Sequence, residues 1–180
     1  MTKDELRKCI RMEKKKVSLA DKKLRSQNIW AKVETTPEFK NAKVVLMYWS
    51  MDDEVFTHDF VQKWAADKTI LLPVVDGDDL RIKAFKGIEN LDCDNQFGIG
   101  EPQGEDFDNT DSIDLIIVPG VAFDKNKNRM GRGRGYYDKL LSTSKAFKIG
   151  VGFDFQVLDN VPTEEFDIPM NRIVAESNIY

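Results

Sequence analysis

The stretch VPGVAFDKNKNRMGRGRGYYDKLL, Val118 to Leu141, decides the architecture of the chain. It is entered from an apolar run, Leu115-Ile116-Ile117-Val118, that stops at Pro119-Gly120. It is left through Tyr136-Tyr137-Asp138, the start of a helix expected to reach Ser142. Strand, loop and helix in that order form the repeating unit of an α/β sheet. Inside the loop, Gly131, Gly133 and Gly135 alternate with Arg132 and Arg134, and Arg129 precedes them. Glycines leave main-chain N–H groups unshielded by a Cβ and let the chain take positive φ. Such a run folds around an anion, and a helix start behind it adds the positive end of a dipole. Arginines supply planar forks for phosphate oxygens. The stretch reads as a polyphosphate cradle for a nucleotide or a phosphorylated substrate. It matches neither GxxxxGK[ST] nor GxGxxG. A flexible turn with solvated arginines is one competing reading, and an RNA-binding RGRG tail is another. Tails of that kind sit in disordered segments, not between a strand and a helix.

Outward from this unit, apolar strands alternate with helices. Upstream lie Lys43–Trp49, Thr69–Pro73 (with Val74-Val75 as an extension) and Leu80–Phe85; downstream lie Phe147–Phe153 and Ile173–Ala175. A first helix is expected over residues 2–16, where Thr2 and Glu5 have capping-box spacing. A second runs from an N-cap at Ser18 to about Val33, with Leu24, Ile29 and Trp30 toward the core. Thr57 is a candidate N-cap for a third, bearing Phe60, Val61 and Trp64. Residues 86–112, rich in Gly, Asp and Asn, form the longest irregular segment, and such loops are often functional. The pattern predicts one α/β domain over residues 1–180, a three-layer α/β/α arrangement with a mostly parallel central sheet and two N-terminal helices. Ligands then belong at the carboxyl ends of the strands.

Composition narrows the chemistry. The 180 residues are 41% hydrophobic and 32% charged, an ordinary soluble balance. No run approaches the ~18 apolar residues of a membrane span, and MTKDELRK is not followed by a signal-peptide core. A cytoplasmic location, with neither membrane nor nucleic-acid partner, is expected. The net charge of −4 argues against general nucleic-acid binding and makes the arginine cluster a local reversal of sign. Cys9 and Cys93 lie far apart and indicate neither a disulfide framework nor a zinc site. His58 is the single histidine and reads as a helix residue without catalytic duty. Chemistry must rest on Arg, Lys, Asp, Glu and backbone.

Several side chains carry two readings. Lys3, Arg7 and Arg11, spaced i, i+4, i+8, form either a solvated basic face or a contact to an anionic ligand. Asp138 either joins a Mg²⁺ ion, which takes only one or two protein carboxylates when bound to nucleotide phosphates, or caps its helix or pairs with Arg134. Asp167 alone reads as surface. Tyr48, Trp49 and Trp64 read as core, although an aromatic at a strand end can stack on a ring.

Taken together, VPGVAFDKNKNRMGRGRGYYDKLL, the start KDELR (Lys3–Arg7), SMDDEVFT (Ser50–Thr57) and the tail VPTEEFDIP (Val161–Pro169) resemble the 5-formyltetrahydrofolate cyclo-ligase (5,10-methenyltetrahydrofolate synthetase) family. The resemblance implies an ATP- and Mg²⁺-dependent ring closure through a phosphorylated formyl group, carried out on small molecules by a chain expected to be a monomer. By position, Lys3, Arg7 and the segment Arg129, Met130, Gly131, Arg132, Gly133, Arg134, Gly135, Tyr136 and Tyr137 would meet ATP, with Arg132 on the transferring phosphoryl. Arg132 to Tyr136, together with Met51 and Glu54, would meet the folate. Asp138 and Asp167 would hold Mg²⁺. One departure stands out: family members often carry an acid where this chain has Phe56, and an acid there could hydrogen-bond the pterin. Two alternatives remain, a folate- or nucleotide-binding protein without turnover, and a phosphosugar isomerase or transferase of similar architecture.

Overall fold

The computed structural model describes residues 1–180. Helix α1 (Lys3–Lys15) begins at the expected capping box: Glu5 N donates to Thr2 Oγ1 at 3.2 Å, and Thr2 N donates to Glu5 Oε2 at 2.7 Å. Helix α2 (Leu19–Thr35) starts where Asp21 N donates to Ser18 Oγ. Ile29 and Trp30 are buried as expected, but Leu24 is exposed. Thr35-Thr36-Pro37 ends α2 and also starts α3 (Pro37–Asn41), because Pro at the first helical position has the helical φ and no N–H to satisfy. Helix α4 is His58–Trp64 and α5 is Tyr136–Ser142. Thr57 stands at the N-cap position of α4, as expected, but its side chain makes no cap bond. Its hydroxyl accepts from Ser50 N and its own N–H donates to Ser50 Oγ, closing the turn in front of the helix instead.

The strands in chain order are β1 (Val44–Leu46), β2 (Thr69–Asp76), β3 (Asp79–Ala84), the short pair β4 (Leu91–Asp92) and β5 (Glu101–Pro102), β6 (Leu115–Val118), β7 (Ala122–Asp124), β8 (Arg129–Met130), β9 (Phe147–Val151), β10 (Val157–Leu158) and β11 (Arg172–Val174). The central sheet runs β11-β9-β6-β1-β2-β3 and is parallel except for β3 at one edge. Leu46 sits opposite Leu71 on one side and Ile116 on the other. Alternate residues face opposite sides of a strand, and both sides here are apolar. Val45, Leu115, Ile117 and Ile149 pack with Ile29, Val33, Phe39 and Phe60 from α2–α4. Leu46, Ile116, Val118 and Ile173 pack with Leu141 of α5, Phe123 and Met170. That explains why the strands read as unbroken apolar runs.

Two features position the site. The chain leaves β1 toward β2 on one side and later returns to β6 on the other, so the carboxyl ends of β1 and β6 flank the point where strand order reverses. Open α/β sheets bind ligands in that crevice. Second, α1 does not join the main core. Leu6 and Ile10 pack with Val121, Ala122, Met130 and Val161, which fixes the helix on the β7–β8 hairpin. Full burial of each such aliphatic chain is worth roughly 1.5–3 kcal/mol, enough to bring the chain's first residues to the loop after β6.

Candidate active site

A single cleft opens at the reversal point. Tyr48, Trp49, Met51 and Glu54, following β1, form one wall; the cradle following β6 forms the other. Pro73 and Val75 of β2 and Leu80 of β3 close the side, and Phe97, Ile99 and Glu101 of the irregular segment complete it. That segment is tied down from two directions. Val75 N donates to Glu101 Oε2 at 2.6 Å, and the Arg134 guanidinium lies 5.1 Å from the Phe97 ring centre.

The cradle begins as a hairpin, β7 against β8, that the sequence did not announce. Its pairing turns Met130 into the α1 cluster, where it is 1% exposed, so Met130 offers a ligand only its main chain. Arg129 is also buried: its Nε donates to Pro119 O at 2.7 Å, Asp138 lies 3.7 Å away, and the guanidinium covers Tyr137. Burial pulls the Arg129 pKa down and the Asp138 carboxylate opposes that pull. Beyond Met130 the chain leaves regular structure. Gly133 has φ +102° and Gly135 has φ +73°, conformations that L side chains rarely adopt. From Gly131 to Gly135 no main-chain N–H donates to a protein acceptor, which leaves an open row of donors. Tyr136 donates its hydroxyl to Gly77 O at 2.9 Å, tying the end of the row to the β2–β3 turn. Helix α5 behind it is seven residues long and starts at Gly135 without a side-chain cap.

Helix α1 adds cations at one end of this row. Arg7 Nε donates to Gly131 O at 3.0 Å and Nη1 pairs with Asp4 at 2.6 Å. Lys3 Nζ lies 2.6 Å from both Glu164 and Asp167. Partial burial would lower the Lys3 pKa, but the two carboxylates outweigh it and hold it above its usual value. Asp167 and Asp138 are brought together across Ile168, whose N–H donates to Asp138 Oδ1 at 3.3 Å. Arg11, by contrast, points to solvent and leaves the stripe. No cluster of three or more His, Cys, Asp or Glu capable of holding a metal is present. Two carboxylates beside an anion cradle suit an ion that keeps waters and phosphate oxygens as its remaining ligands, as Mg²⁺ does.

The opposite wall is carboxylate-rich. Glu54 Oε2 accepts Met51 N at 2.8 Å and its Oε1 lies 3.3 Å from Arg132 Nη2, while Asp53 accepts the same nitrogen at 2.8 and 3.1 Å. Burial pushes the Glu54 carboxyl up, and Arg132 offsets this only in part. Partial burial of Asp53 works against its charge too, but Lys14 and Arg132 prevail and hold its carboxyl below its usual range. Phe56 does not line the cleft. Its N–H donates to Ser26 Oγ, its carbonyl accepts Trp30 Nε1, and Lys23 sits over its ring at 4.7 Å. Its ring also lies 4.7 Å from that of His58, so the place where an acid was expected to meet a pterin sits behind the cleft wall, between Lys23 of α2 and His58. His58 stacks on Trp49 at 3.8 Å with Nε2 on Ser50 O, a support for the cleft wall.

With this geometry in place, the chain matches the model of the 5-formyltetrahydrofolate cyclo-ligase family over residues 1–176. The chain belongs to that family. It is 33% identical to the 5-formyltetrahydrofolate cyclo-ligase of Haemophilus influenzae over 146 residues, 77% of this chain and 78% of the relative. It is 28% identical to that of Escherichia coli (strain K12) over 180 residues, 95% and 98% of the two chains. The solved structure of the Aquifex aeolicus 5,10-methenyltetrahydrofolate synthetase superposes with a TM-score of 0.88 at 35% identity, covering 99% of this chain and 92% of that one. The cyclo-ligases are enzymes, and their α/β fold is the one described above.

Within this family fold, the cleft gathers Met51, Glu54, Arg129 and the run Gly131–Tyr137, all singled out in the sequence. Lys3, Arg7, Asp138 and Asp167 form a contiguous group at the end of the cradle. Sequence reasoning missed Asp53 and Lys14. The signal for Lys14 was present: it continues the inward stripe of Leu6 and Ile10, one turn after Ile10. Phe97, Ile99 and Glu101 lay in a segment flagged only for its length.

Proposed function

We propose that this chain closes 5-formyltetrahydrofolate to 5,10-methenyltetrahydrofolate in an ATP- and Mg²⁺-dependent reaction that releases ADP and phosphate. The observation that carries the proposal is one cleft with two unlike halves meeting at Arg132. One half is the row of free N–H donors from Gly131 to Gly135 with Arg7 and Lys3 at its end, which suits a polyphosphate. The other is an aromatic and aliphatic slot with a buried carboxylate, Glu54, which suits a flat heterocycle bearing N–H donors.

The chemistry asks little of the protein beyond placement and charge. The formyl oxygen attacks the γ-phosphorus, the bond to the bridging oxygen breaks, and ADP leaves. N10 of the same folate then attacks the formyl carbon, phosphate departs with the former formyl oxygen, and the N10 proton is lost to solvent. The substrate brings its own nucleophile, so the lack of a cysteine or histidine in the cleft is no obstacle. Lys3, Arg7 and Arg129–Tyr137 bind and orient ATP; Arg132 stabilises the charge on the transferring phosphoryl; Met51 and Glu54, with Arg132–Tyr136, orient the folate. Asp138 and Asp167 would hold Mg²⁺, which neutralises phosphate charge when bound. The enzyme acts as a cytoplasmic monomer on these small molecules, and no helix is long and apolar enough to cross a membrane. The reading as a binding protein without turnover rested on Phe56, which does not line the cleft.

The test is incubation with 5-formyltetrahydrofolate, ATP and Mg²⁺, following the methenyl chromophore. Product must appear and must require ATP. No product with folded protein favours a binding role, and product without ATP removes the phosphoryl-transfer reading.

A further inference from the structure

Lys14 makes none of the substrate contacts assigned above, yet its placement is unusual for a lysine. It lies on the inward stripe of α1 with Leu6 and Ile10, where an aliphatic side chain is the ordinary choice, and is 5% exposed. Lysine is almost never buried to that degree without a partner. Its partner is Asp53, whose Oδ2 lies 3.4 Å from Nζ. Asp53 in turn accepts Arg132 Nη2, and Glu54 approaches the same nitrogen. Every protein contact of the Arg132 guanidinium thus runs through one corner, and Nε and Nη1 have no protein partner. The side chain is 47% exposed and stands between two glycines, so its sequence neighbours give it no wall to lean on. What orients it is the 53–54 carboxylate pair, and what fixes Asp53 from beneath is a charge buried on α1.

We propose that Lys14 is a positioning residue for the reaction: through Asp53 it holds Arg132 by one corner, so that Nε and Nη1 stay free for the transferring phosphoryl group. The inference rests on the reading of the cleft given above. It gives α1 a second duty. The same helix that carries Lys3 and Arg7 to the cradle reaches with Lys14 to the opposite wall, so one rigid element sets the spacing of both. A buried lysine with a purely structural task would need any acceptor; this one meets the carboxylate that also grips Arg132.

Lys14→Met keeps the length and apolar stem of the side chain and removes its charge. We expect kcat to fall about 10- to 100-fold, the range for a reacting group misplaced by roughly 1 Å, with KM for ATP and for 5-formyltetrahydrofolate unchanged. Lys14→Arg restores most of kcat. In an Asp53→Asn background, Lys14→Met adds no further loss, because its effect passes through Asp53. An unchanged kcat in Lys14→Met, or losses that multiply in the double variant, overturns the proposal. Should Lys14→Met not accumulate folded, Asp53→Asn alone must lose kcat at constant KM, and an unchanged kcat there overturns it equally. Wild-type protein assayed alongside keeps the two readings apart. Failure of the wild type to form product strikes the function of the cleft, whereas an active wild type with an indifferent Lys14 strikes only this inference.

Discussion

Gly133→Ala separates the shape of the cradle from its charge. Gly133 has φ +102°, and a Cβ built there would lie 3.3 Å from Arg7 Cζ and 3.4 Å from Arg7 Nη2. Two costs follow. Holding alanine at that φ costs on the order of 1–3 kcal/mol. At roughly 2–4 °C per kcal/mol for a domain of this size, Tm falls by about 2–12 °C. The second cost falls on binding. Arg7 is held by Asp4 and by Gly131 O, so the new methyl can be accommodated only by moving the guanidinium a few tenths of an ångström or shifting the loop. A hydrogen bond to a charged group is worth about 1.5–3 kcal/mol, so losing most of the proposed Arg7–phosphate contact should raise the Kd for ATP by roughly 10- to 100-fold. Calorimetric titration with ATP measures it. Arg7→Ala should show a loss of the same order, and Gly133→Ala in the Arg7→Ala background should add only a small further loss. Equal, multiplying losses in both backgrounds would show that the glycine acts on ATP by a route other than Arg7.

Arg132→Ala should lower kcat about 10³-fold or more with the fold intact, as for other arginines on a transferring phosphoryl; a near-normal rate at normal ATP affinity would remove it from that role. Asp138→Asn combined with Asp167→Asn should shift the Mg²⁺ dependence of the rate to higher concentration, and a titration overlaying wild type would make both residues structural. Burial raises the Glu54 carboxyl above the usual 4.5, so the form that can accept from a pterin N–H is lost as pH falls through that raised value. KM for 5-formyltetrahydrofolate should therefore climb on the acid side above pH 4.5, and Glu54→Gln should abolish that limb; a limb that persists in the variant belongs to another group. Phe56→Glu should leave the folate KM unchanged, because Phe56 does not line the cleft and its ring lies between Lys23 and His58; a lowered KM would put it in the pterin slot.

Features set by local chemistry were legible in the sequence. Thr2 with Glu5 and Ser18 mark helix starts because each satisfies an N–H nearby in the chain. The apolar runs at β1, β2, β6 and β9 declare a sheet covered on both faces. The glycine–arginine alternation marked a loop that does line the cleft, and family resemblance singled out Lys3, Arg7, Glu54, Asp138 and Asp167. What escaped was set by contacts between distant segments. Met130 and Arg129 look like part of the loop until the β7–β8 pairing turns one onto α1 and the other beneath Pro119. Thr57 has the residue type of an N-cap, but Ser50 across the turn claims its hydroxyl. Phe56 looks like a missing acid of the cleft until packing seats its ring behind the wall, against His58 and Lys23. Lys14 and Asp53 form a pair 39 residues apart, and neither residue type announces the other. Phe97 and Ile99 reach the cleft through a segment with no periodicity to read.

The central claim is that the formyl oxygen itself takes the phosphoryl group within this cleft. It is tested most directly with 5-formyltetrahydrofolate labelled with ¹⁸O in the formyl group, turned over with unlabelled ATP in unlabelled water. The account predicts that each phosphate released carries one ¹⁸O atom and that ADP carries none. Phosphate without the label, alongside methenyl product, would mean that ATP is hydrolysed separately from ring closure and would contradict it.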